Sequence, residues 1–142
     1  MASDPAGLGR RLVEEVWAKG DNAVAAEIVA PAVVVHLSRA VAPGPEGQAA
    51  VGDYFRTGFP DARWAVEDAF GAGDRAAVRW RMSGHHERPF EGVSPTGREA
   101  ELGGILIVRV EDGKIAEIWH AEDMLGLLDQ LGAKPEATID AG

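Results

Sequence analysis

Residues 99–123 read EAELGGILIVRVEDGKIAEIWHAED. An apolar run over Glu99–Val110 meets the turn Glu111-Asp112-Gly113 and returns as an alternating run over Lys114–Ala121. Two such runs around an Asp-Gly step predict a β-hairpin. Gly103-Gly104 inside the first run predicts a bulge or sharp bend in the longer strand. The hairpin closes on an indole, an imidazole and two carboxylates at 119–123, so an apolar strand ends in groups able to move protons.

Working outward, Ala62–Phe70 and Ala76–His86 predict two more strands joined by Gly-Ala-Gly-Asp, and VVVHLS (33–38) predicts an earlier one. Asp4-Pro5 is a helix start, followed by Leu8, Leu12, Val13 and Val16 at helical spacing up to Lys19-Gly20. A short helix from Asp21 runs through Ile28 and is stopped by Pro31. Another covers Gln48–Phe55, with Val51 and Phe55 four apart, and a last one covers MLGLLDQLG (124–132). About 133–142 read as a loose C-terminal tail. Helices come first and antiparallel strands follow. That order predicts one α+β domain over 1–142, with helices across a strongly curved sheet that encloses a pocket.

Composition narrows the function. With 23 acidic and 14 basic residues the net charge is −9, which repels phosphate backbones and argues against nucleic-acid binding. The absence of cysteine removes disulfides, thiolate metal sites and a cysteine nucleophile, and suits a reducing cytoplasm. No apolar run reaches the roughly 18 residues of a membrane span, and MASDPAGLGRR lacks an apolar signal core. The expectation is a soluble, cytoplasmic protein with no membrane partner. There is no HExxH pair, so a metal is not expected; GAGDR is a hairpin turn rather than a phosphate-binding lysine loop, and the lack of a Gly-x-Ser-x-Gly elbow disfavours a serine hydrolase.

On an extended strand Ile115, Glu117, Trp119, Ala121 and Asp123 share one face, so Trp119 and Asp123 would look into the same space. A carboxylate beside an indole is partly desolvated and its pKa rises toward the range useful for proton transfer. The competing reading makes Asp123 the N-cap of the helix at Met124. His85 and His86 point to opposite faces; His86 shares its face with Trp80 and Met82, and His85 with Arg79, Arg81 and Ser83. His36, inside an apolar strand, is a further candidate. Arg109 is either a surface charge or the partner that orients Asp123. Trp80, Trp119, Tyr54, Phe55 and Met82 would line a pocket for a flat aromatic ligand.

The segments WAKGD (17–21), FPDARWAVED (59–68), GDRAAVRWRMSGHH (73–86), PFEGVSPTGRE (89–99), GGILIVRVEDGKIAEIW (103–119) and DMLGLLDQLG (123–132) together resemble the SnoaL-like polyketide cyclases, within the nuclear-transport-factor-2-like fold. The resemblance runs from about Trp17 to Gly132. It implies a cone-shaped α+β barrel with a deep apolar cavity, usually dimeric through its sheet. It implies that Asp123 is the general acid/base group, that His86 and His36 face the cavity, and that Arg109 lies near the carboxylate. The implied reaction is an intramolecular aldol condensation of an aromatic polyketide, without cofactor. The same fold hosts epoxide-opening cyclases and hydrolases, where Asp123, His86 and Tyr54 would act, as well as cofactor-independent hydroxylases and plain ligand binders.

Overall fold

A computed structural model describes residues 4–133; the tail expected over about 133–142 lies, apart from Ala133, outside the described residues. The element order is α1 (Pro5–Arg11), continued by a π-helical stretch Leu12–Trp17, then α2 (Asn22–Ile28), β1 (Val29–His36), α3 (Gly44–Arg56), β2 (Arg63–Ala72), β3 (Arg75–His85), β4 (Glu99–Glu111), β5 (Lys114–Glu122) and α4 (Met124–Gln130). The strands form one curled, unclosed five-stranded sheet in the order β1-β5-β4-β3-β2. With the helices this is the α+β arrangement expected, with one difference: the sheet is mixed, because β1 joins β5 in parallel.

Local chemistry accounts for the elements. The Asp4 side chain accepts from the backbone N–H of Gly7, and Asp21 accepts from Ala23 and Val24, so both N-terminal helices are capped. The Asp112-Gly113 turn has φ of 52° and 76°, the left-handed pair that a two-residue hairpin needs. Pro31 does not precede β1 but lies inside it. β1 is an edge strand whose register slips between Val29 and Val34, and an edge irregularity is where a residue without N–H is tolerated.

The helices cover the concave face. Trp17, Phe55 and Phe59 pack there against Val78, Trp80, Met82, Leu102, Leu106 and Ile118, all essentially inaccessible to solvent. The Gly103-Gly104 pair does not bulge: β3 and β4 keep continuous register through it, with Arg81 opposite Gly103 and Trp80 opposite Gly104. A side chain at 104 would meet the Trp80 indole. The register shifts sit elsewhere, in β2 between Val66 and Asp68 and between β4 and β5 at Arg109/Val110.

Candidate functional site

The second of these shifts sorts the site. Val110 pairs with Ile115, but Arg109 pairs with Glu117, so Ala116 is an extra residue in β5. One extra residue reverses the alternation beyond it. Ile115 and Ile118 are both buried on the concave side, and His120 and Glu122 follow Ile118 onto that side. Glu117, Trp119 and Ala121 turn to the convex side.

The concave interior holds polar atoms without hydrogen-bond partners. Among the described residues these include Tyr54 Oη, Trp64 Nε1, Trp80 Nε1, His86 Nε2 and His120 Nε2. Each such group in a protein core costs on the order of 1–3 kcal/mol, so their collection on one side of the sheet needs a reason beyond packing.

His120 sits between two indoles, with ring centroids 5.1 Å from Trp17 and 5.4 Å from Trp80. Burial, and secondarily the charge of Arg39, pushes its pKa down to about 4, so the imidazole is neutral at pH 7. Burial pushes the Glu122 carboxyl upward, and Arg39 partly offsets that. Arg39 forms an ion pair with Glu122. The guanidinium lies 4.8 Å over the Tyr54 ring and 5.3 Å from that of Phe55.

The candidates named from sequence divide between the two faces. Trp80, Met82 and Phe55 are buried in the interior, and Tyr54 packs edge-on to Phe55 beside them. His86 is fully buried on the Trp80–Met82 side, and its Nδ1 accepts the backbone N–H of Thr96 at 3.2 Å, which leaves the ring proton on the unpartnered Nε2. His85, on the opposite face, is hydrogen-bonded to Asp61 at 2.7 Å, which raises its pKa.

The other four lie on the convex side, away from the interior that the resemblance implies for them. His36 meets Glu117 at 2.7 Å and stacks on Trp119 at 5.4 Å. Arg109 reaches Glu117 at 3.2 Å and Glu111 at 3.5 Å rather than Asp123. Hydrogen bonds from His36 and then Arg109 hold the Glu117 carboxyl below its ordinary value. Asp123 is exposed and caps α4, accepting from Gly126 N–H at 2.9 Å. It borders a convex groove of about 610 Å³ shared with Glu67, Arg81, Glu101 and Gly103. For Trp119 and Asp123 the cause is the Ala116 bulge, which strict alternation does not foresee. Sequence reading missed Glu122 and His120 for the same reason, and the visible signal was that they share a parity opposite to that of Trp119 and Asp123; Arg39 lies in the loop between β1 and α3, where no periodicity marks it.

Residues 8–131 match the family model described as SnoaL-like polyketide cyclase. The chain belongs to the SnoaL-like polyketide cyclase family. Among solved SnoaL-like relatives, TsrD from Streptomyces laurentii is 31% identical, with 89% of this chain and 92% of that chain covered and a TM-score of 0.75. IdmH from Streptomyces antibioticus, named as a candidate polyketide cyclase, is 36% identical over 84% of this chain and 93% of its own, with a TM-score of 0.72. AclR from Streptomyces galilaeus, named as a candidate hydroxylase, is 25% identical over 92% and 86%, with a TM-score of 0.75. No curated protein matches the chain. Among the described residues of this SnoaL-like chain, no group of three or more His, Asp or Glu could hold a metal ion, and no helix is long and apolar enough to cross a membrane.

Proposed function

We propose that this protein closes a ring on an aromatic polyketide by intramolecular aldol condensation, with Glu122 as general acid/base group in the concave interior. The observation that carries the reading is the buried pair on β5: Glu122 and neutral His120, on one face, with unpartnered polar atoms among indole rings. As a carboxylate, Glu122 takes a proton from the carbon between two carbonyls. The resulting enolate carbon attacks a second carbonyl of the same molecule, and the new alkoxide regains the proton from Glu122. Indole N–H groups of Trp80 and Trp64 and the Tyr54 hydroxyl donate to oxygens where negative charge develops. The interior holds the chain in a reactive fold. Asp123, which the resemblance nominates, serves α4 as its cap, so the geometry favours Glu122 before it.

The test compares Glu122→Gln and Asp123→Asn on a partly cyclised polyketide methyl ester. Turnover is lost in the first, by a factor of about 10² or more, and kept in the second. An active Glu122→Gln beside an inactive Asp123→Asn would return the role to Asp123. Ligand binding without conversion by wild type would make the protein a binder.

On the same reading the protein works as a homodimer through its convex face. Phe70, Ile105 and Ile107 are 64%, 52% and 40% exposed there, an apolar area that a second copy would cover.

A further inference from the structure

The ion pair between Arg39 and Glu122 ties the loop between β1 and α3 to the end of β5. Its two ends differ in exposure: 28% of the Arg39 side chain reaches solvent, against 3% of Glu122. The cation is therefore reachable from outside and the anion is not. Arg39 rests on the faces of Tyr54 and Phe55, a seat held by cation–π attraction. Beside it, between the loop and α3, lies a cleft of about 210 Å³ lined by Val41, Ala42, Ala50, Val51 and Tyr54.

A carboxyl group as buried as Glu122 takes up a proton unless a positive charge opposes it. The groups that bear on it are few. His120, two residues back on the same face of β5, is neutral at pH 7. The charge bearing on Glu122 is that of Arg39, and the same charge bears on His120. A base that burial alone controlled would already carry its proton and could not accept one from a substrate.

We propose that Arg39 is a positioning residue for proton transfer: from its aromatic seat it keeps Glu122 in the carboxylate form, so that the carboxyl group at the end of β5 is set as a base. This rests on the reading of Glu122 as the acid/base group.

The test needs no substrate. Protein labelled with ¹³C at the glutamate side-chain carboxyl is titrated by NMR as wild type, Arg39→Gln and Arg39→Lys, and the Glu122 signal is assigned by its loss in Glu122→Gln. In Arg39→Gln the midpoint of Glu122 rises by about one pH unit or more, a tenfold gain in proton affinity. Arg39→Lys, which keeps the charge, restores most of the wild-type midpoint. The His120 ring also titrates higher in Arg39→Gln. Should Arg39→Gln fail to fold, Arg39→Met keeps the apolar seat and gives the same reading. An unmoved Glu122 midpoint in the uncharged variant would overturn the inference and leave Arg39 a structural plug. Failure of the cyclase reading appears elsewhere, as turnover by Glu122→Gln, so the two are told apart.

Discussion

Gly104 lies beneath the indole of Trp80, and the ring occupies the space that a side chain at 104 would fill. A Cβ there would come closer than 3.0 Å to Cζ2, Cε2 and Nε1 of Trp80, whereas a Cβ at Gly103 would meet nothing within 4 Å. The two glycines are neighbours in one strand and differ only in the face they turn. Gly104→Ala must displace a rigid, fully buried ring and costs about 2–3 kcal/mol by overpacking. Gly103→Ala changes stability by no more than about 0.5 kcal/mol. Urea denaturation of both variants checks the contrast, and equal losses would contradict it.

Asp123 provides a second contrast. Asp123→Ala removes the acceptor for Gly126 N–H and lowers stability by about 1 kcal/mol. Asp123→Ser keeps a capping oxygen and restores most of the loss. A thermal melt reads both, and loss of turnover without loss of stability in Asp123→Ser would give this residue a chemical role instead.

His120 makes stability depend on pH. Its pKa falls from 6.5 in the unfolded chain to about 4 in the folded protein. Between those values the unfolded chain binds a proton that the folded protein refuses, so stability falls as pH drops through that window. The full difference is about 3 kcal/mol. Glu122, shifted upward, acts in the opposite sense: its contribution is present at low pH and lost as pH rises through its folded value. Comparing wild type with His120→Phe isolates the histidine: wild type loses about 3 kcal/mol relative to the variant between neutral pH and pH 4. A constant difference across that range would mean the imidazole is not buried neutral.

The convex face makes a fourth prediction. Ile107→Asp places a charge in the apolar area formed with Ile105 and Phe70. Sedimentation is expected to give twice the chain mass for wild type and the single mass for the variant, with an unchanged melting profile at high dilution. A wild-type monomer at micromolar concentration would remove the dimer.

The split between what was legible and what was not follows from where the backbone advertises itself. Asp112-Gly113 announced its turn because a two-residue hairpin requires left-handed residues. The opposite facing of His85 and His86 was readable because β3 keeps its alternation from Arg75 to His85. Ala116 carries no such mark. Alanine fits strand or bulge alike, so the slip that carries Glu122 inward and Asp123 outward was silent in the local sequence. Gly103-Gly104 was conspicuous, but the bulge it suggested is absent, and Gly104 makes room for an indole 24 positions away. Pro31 suggested a break and instead sits in an edge strand, a place that depends on which strand lies at the edge.

The parallel pairing of β1 with β5 has a consequence for the newborn chain. His36 and its partner Glu117 are 81 residues apart. At a synthesis rate of about 5–20 residues per second, the apolar segment Val33–Val35 waits roughly 4–16 seconds before its only neighbouring strand has been made. During that wait an unpaired, β-branched strand is open to any other chain nearby. Slower translation at low temperature lengthens that exposure even as it weakens apolar association.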